Sequence, residues 1–157
     1  MAVFAVAQTD REKIADAVRF MRELPQAECP TKHYFAPGIY IREIFMPADT
    51  YVIGKIHRTE HFNTLLTGKC GLFEADGTQT ILKAPLTFVS QPGVQKALYI
   101  YEDCLWQTIH VTKERDMEAL EAEIIEPDES YPKVNRDKER AGINQAAHTE
   151  KLLEHKP

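Results

Sequence analysis

Apolar and polar positions alternate in two different ways along this chain. From Thr9 the spacing is helical. Thr9-Asp10-Arg11-Glu12 has the form of a capping box, a hydroxyl at the N-cap and a carboxylate three residues on. Ile14, Ala17, Val18, Met21 and Leu24 then repeat on one face until Pro25 ends the pattern. Gln26 to Lys32, with Pro30, reads as a connector. The middle of the chain breaks into short runs rich in β-branched and aromatic residues: 34–35, 38–46, 51–56, 62–67, 70–74, 78–82, 86–90, 94–101 and 105–111. Gly68-Lys69, Ala75-Asp76-Gly77, Ala84-Pro85, Gln91-Pro92-Gly93 and Glu102-Asp103 separate these runs, and Asp76-Gly77 is a strong hairpin signal. Helical spacing returns over 113–126, where Met117, Leu120 and Ile124 make a narrow stripe that Pro127 ends. Asp128 to Val134 reads as a loop. Asp137 to Glu154 carries a thin stripe of Ile143, Ala146, Ala147 and Leu153; such a tail either docks on a partner subunit or stays mobile.

Many short strands without βα alternation predict a mainly β, antiparallel sandwich or barrel rather than a parallel sheet. The chain divides accordingly into an N-terminal helix and connector (1–33), a β-barrel (34–112) and a helical, charged C-terminal extension (113–157).

A length of 157 residues suits one domain with a real core, and 43% hydrophobic with 27% charged residues predicts a folded chain. The net charge of -5 gives no electrostatic reason to expect nucleic acid or an anionic membrane as partner. No apolar run approaches the ~18 residues of a membrane span, and the opening MAVFAVAQ is short and lacks a basic flank. Three cysteines, Cys29, Cys70 and Cys104, occur without a CxxC, which predicts free thiols in a reducing cytoplasm.

The candidate chemistry centres on Asp49 to Gly68. His57 and His61 flank the polar turn Arg58-Thr59-Glu60. In one straight strand they would lie roughly 13 Å apart, too far to share an ion. If the chain reverses at the turn, the imidazoles sit on neighbouring strands and converge, with Glu60 beside them. The alternative is a pair of exposed turn histidines.

This central stretch resembles a cupin. Anchoring the first cupin motif on Gly68 puts His61 at its glutamate position, His57 on its second histidine, Lys55 on its first, and Asp49 on its opening glycine. Of the second motif only Pro92-Gly93 matches; Lys96 stands for its histidine and Ile100 for its asparagine. The resemblance covers roughly Phe35 to Thr112 and implies a cupin-type double-sheet antiparallel barrel, or jelly roll. The chain is also similar to small cupin-like proteins of tailed bacteriophages in Gly54-Lys55-Ile56-His57-Arg58-Thr59-Glu60-His61, in Ser90-Gln91-Pro92-Gly93, and in Leu98-Tyr99 through Glu102-Asp103 to Trp106 and His110.

Three functional readings follow. In the first, His57, His61 and His110 form a facial site for zinc, iron, nickel or manganese, with Glu60 as a fourth ligand or general base. A hairpin at Glu102-Asp103 would bring His110 close to Lys96 across the ladder. This requires Trp106, Thr108 and His110 to face inward, although Leu105, Ile109 and Val111 are the more apolar set. In the second, Lys55 and Lys96 repel a cation and, with the histidines, hold a small anionic ligand such as a nucleotide signal; rim lysines can equally be solvated edge residues. In the third, the barrel is a virion or oligomer structural module. A homodimer or higher homo-oligomer is expected, with Tyr99, Tyr101 or Trp106 as candidate interface aromatics. His33, His148 and His155, in connector or tail segments, are expected to be solvent-exposed.

Overall fold

A computed structural model of the chain describes residues 11–74 and 76–127. Helix α1 (Arg11–Arg22) comes first. Strands β1 (Thr31–Ala36), β2 (Ile39–Met46), β3 (Thr50–Ile53), β4 (His61–Phe73), β5 (Gln79–Lys83), β6 (Leu86–Ser90) and β7 (Ala97–Val111) follow, and helix α2 (Met117–Ile124) closes the described chain. Every strand pair is antiparallel. The mainly β antiparallel architecture expected from the strand pattern is the one formed. The predicted C-terminal loop and helix, with His148 and His155, lie outside the described residues, as do Thr9 and Asp10 of the capping box.

Two long strands organise the barrel. β7 pairs with β2 along its C-terminal half and with β3 along its N-terminal half; β4 pairs with β6 and then β5 in the same way. β4 and β7 also pair with each other, so they thread through both halves of the sheet. The sequence pattern predicts turns at Gly68-Lys69 and Glu102-Asp103, and the chain instead continues through both as bent strand. The β4–β7 register shifts between Leu65 and Cys70, opposite these acidic residues. Gly68 has φ 91°, and a Cβ there would run into the Asp103 carbonyl oxygen. Asp103 Oδ1 meanwhile accepts the Ala48 N–H at 2.8 Å. The turn-forming residues therefore mark a bulge that bends the sheet. The hairpin predicted to bring His110 beside Lys96 is absent.

Met46, Leu65, Phe88 and Trp106 from one half pack with Leu72, Leu82, Leu98 and Ile100 from the other to make the core. Cys70 and Cys104 are fully buried within it as free thiols. Trp106 donates Nε1–H to Asn63 Oδ1 at 3.1 Å, and Asn63 donates to Ser90 Oγ at 2.8 Å, so this buried polar chain is satisfied. Trp106 is thus core rather than an interface residue. Tyr99 and Tyr101 lie on the outside, in edge contact at 4.9 Å.

α2 is shorter than its sequence pattern. Thr112 Oγ1 accepts the Glu114 N–H and bonds the Glu123 carboxylate, and the Glu114 carboxylate accepts the N–H groups of Arg115 and Asp116. These residues form a turn, and Asp116 becomes the N-cap, accepting Ala119 N–H at 3.0 Å. α2 packs Leu120 and Ile124 against Tyr40, across one end of the barrel. Its C-terminal exit is stitched to the segment before β4: Arg58 N–H donates to Ile124 O (2.7 Å) and Glu126 N–H to Ile56 O (2.8 Å). Among the described residues no helix is long and apolar enough to cross a membrane.

Candidate metal centre

The predicted reversal at Arg58-Thr59-Glu60 is present, and it brings the two histidines together. His61 is the first residue of β4. His57 sits in no named strand and is held by an isolated antiparallel bridge to Ile125, beyond α2. Their rings stand 4.3 Å apart between centroids. His110, near the end of β7, completes the group at 5.1 Å from His57 and 4.7 Å from His61. One nitrogen from each ring can be chosen so that the three lie within 4.8 Å of one another. Nitrogens sharing one ion at ~2.1 Å stand about 3.0–3.4 Å apart, so the rings, now stacked at 16–28° to one another, must turn and draw in to share an ion.

His110 faces inward because Trp106, Thr108 and His110 are the face of β7 that lines the cavity, while Val111 is 90% exposed. The more apolar set, Leu105, Ile109 and Val111, lies on the outer face. Register places Tyr40 beside His110 and Arg42 beside Thr108 on β2, with Asn63 beside Thr108 on β4. A polar rung of Arg42, Thr108 and Asn63 therefore underlies the histidines, and one rung further lie Ile44, Trp106 and Leu65.

The histidines are in the state that binds metal. Burial, and then the neighbouring histidines and the charges of Lys96 and Arg42, push His57 down to about 2 and His110 down to about 3. His61 is also lowered, chiefly by burial. All three imidazoles are neutral at pH 7. His61 donates Nδ1–H to the Thr59 carbonyl at 2.9 Å, which leaves Nε2 as the nitrogen with a lone pair. That Nε2, His57 Nδ1 and His110 Nδ1 are buried with no hydrogen-bond partner. Orphaned buried nitrogens of this kind are costly unless something else meets them.

The remaining candidates separate. Glu60 is exposed and belongs neither to the histidine group nor to the cavity lining, so the structure does not bring it to the site. Lys55 lines the cavity but is paired with Glu121 of α2 at 3.0 Å. Lys96 also lines it, has no carboxylate partner among the described residues, and burial pushes its ammonium down to about 8. Two lining residues escaped the sequence reading. Arg42 sits in the run Ile39–Met46, where parity with Tyr40 and Met46 was the available signal. His33, expected to be exposed in a connector, is 8% exposed on β1, which starts at Thr31; its Nδ1 shares a 2.8 Å hydrogen bond with the Tyr40 hydroxyl. The cavity is about 240 Å³, and Met117, Leu120, Glu121 and Ile124 of α2 roof it.

No protein-family model and no curated protein sequence matches the chain. Similar solved structures include cupin-domain proteins. A cupin domain from Bordetella pertussis Tohama I is 12% identical over 57% of this chain and 98% of its own, with a TM-score of 0.45. A cupin-2 domain containing protein from Shewanella frigidimarina is 13% identical over 66% and 99%, with a TM-score of 0.44. An RmlC-like cupin family protein with a double-stranded β-helix fold from Methanocaldococcus jannaschii is 10% identical over 56% and 84%, with a TM-score of 0.45. At such values only this chain's own side chains carry a functional conclusion.

Proposed function

We propose that this protein is a metal-binding cupin-type protein in which His57, His61 and His110 hold one divalent first-row transition ion. The observation that carries this reading is the convergence of three neutral imidazoles, each with a buried nitrogen that no protein group satisfies. Three nitrogens leave coordination positions open toward the cavity for water or a small molecule. Bound zinc would activate water, and iron or manganese would bring redox chemistry. The protein's share is to hold the His61 tautomer through Thr59 and to shield the site beneath α2. Arg42 and Lys96 oppose a cation, but at an effective dielectric of about 20 this costs a few kcal/mol. Metal ligation in protein sites supplies on the order of 10 kcal/mol.

Elemental analysis of tag-free protein tests the reading. About one ion per chain is expected in the wild type and little in His57→Ala/His61→Ala, with unchanged circular dichroism. No ion in the wild type, even after reconstitution with zinc, iron, manganese or nickel, would defeat it. A cytosolic setting that keeps the three thiols reduced belongs to the same proposal. The phage-like motif string would make that cytosol a host's. So does a homodimer formed through the outer face of β2, β4 and β7, where Ile39, Phe45, Phe62 and Val111 are exposed. The other outer face is less suited, because its tyrosines bond within the chain, Tyr99 to Asp49 and Tyr101 to Gln79.

A further inference from the structure

The cavity has two ends of opposite character. Near the histidines are Lys96 and the rung of Arg42, Thr108 and Asn63. Beyond that rung, Ile44, Met46, Val52 and Leu98 make an apolar end. Glu121, the carboxylate of the lining, is occupied by Lys55, and Lys96 has no carboxylate partner among the described residues. Thr108 Oγ1 is buried and has no hydrogen-bond partner, and it sits directly between Arg42 and Asn63 in the register.

We propose that the cavity takes a small carboxylic acid with a short apolar tail, its carboxylate between Lys96 and the Arg42–Thr108 rung and its tail against Ile44, Met46, Val52 and Leu98. This names the ligand class of the same site; it rests on the reading of that cavity as a ligand site and does not require the metal. A largely desolvated ammonium such as that of Lys96 is costly without a counter-charge, and an arriving carboxylate supplies it. Thr108 can donate to the same group. An inorganic anion would leave the apolar end unfilled. An uncharged ligand would leave Lys96 uncompensated. An anion beside Lys96 would offset the repulsion between that ammonium and a dication on the histidines, so each would strengthen the other's binding.

The test is calorimetric titration, at pH 7 and low salt, of metal-free and metal-loaded full-length protein. The probes are acetate, butanoate, hexanoate, hexanamide and inorganic phosphate. Affinity should rise about fourfold for each added methylene until the apolar end is full. Hexanamide should bind at least about tenfold more weakly than hexanoate. Lys96→Met should lower the hexanoate-to-hexanamide ratio several-fold, leaving only the preference that Arg42 supplies. The wild-type ratio decides the matter even if that variant fails to fold. Hexanamide or phosphate binding as tightly as hexanoate, or no binding by any probe, would overturn the proposal. Metal uptake without carboxylate binding defeats this proposal alone. Carboxylate binding by a protein that takes up no metal supports it while sinking the metal reading.

Discussion

At His61 one ring nitrogen is committed to Thr59 and the other is left bare, and His57 and His110 each leave a buried Nδ1 bare. Burial holds these rings neutral, which gives the metal-free protein a characteristic acid response. An unfolded histidine takes up a proton near pH 6.5, whereas folded His57 and His110 do so only near about 2 and about 3. Below pH 6.5 the unfolded chain therefore binds more protons, and stability falls as pH falls through the window down to those values. Each ring contributes a slope of up to ~1.4 kcal/mol per pH unit. Urea unfolding of metal-free protein at pH 7.0, 6.0 and 5.0 should show the loss, and His57→Ala/His110→Ala should flatten it. The first two histidines were legible because a three-residue polar turn between them admits one compact geometry. His110 was not, because its facing depends on strand parity and the outward set of β7 is the more apolar. Arg42 was hidden for the same reason: a cation inside a barrel violates the inside-outside pattern on which strand faces are read.

Among the elements, the bend shared by β4 and β7 is where sequence and structure part. Gly68-Lys69 and Glu102-Asp103 have turn chemistry, and a turn and a bulge draw on the same residues, so local pattern could not separate one long strand from two short ones. Which outcome forms is decided by pairing far along the chain. Gly68 is required on two counts, its positive φ and its contact with Asp103. Gly68→Ala should cost about 2–4 kcal/mol in urea unfolding, whereas Gly77→Ala, with the same sign of φ but open space around it, should cost about 1 kcal/mol. Equal losses would mean that the bend does not depend on close backbone approach. The Asp76-Gly77 hairpin was legible because its signal is entirely local, and the structure closes it with Gly77 N–H to Glu74 O at 3.0 Å.

For the whole molecule, the apolar outer face predicts association. Ile39 pairs with Val111 and Phe62 with Ile109 across adjacent strands, so the exposed hydrocarbon is contiguous rather than scattered. Sedimentation should find a dimer at micromolar concentration, and Phe62→Glu/Val111→Glu should give a folded monomer. A wild type that sediments as a monomer would assign that face another occupant. Finally, the roof of the cavity and the support of His57 are one piece of chain: α2 spans the opening, and the residues that leave it bond directly to 56–58. Any displacement of α2 would therefore also loosen the support of His57, one of the three proposed ligands. If the proposed ion and carboxylate occupy the site together, each holds the other through this shared support, so a chelator should strip metal quickly from an empty cavity and several-fold more slowly once hexanoate has seated the roof. On the proposed reading, retention of the ion would become a clock that reports whether the chamber is full.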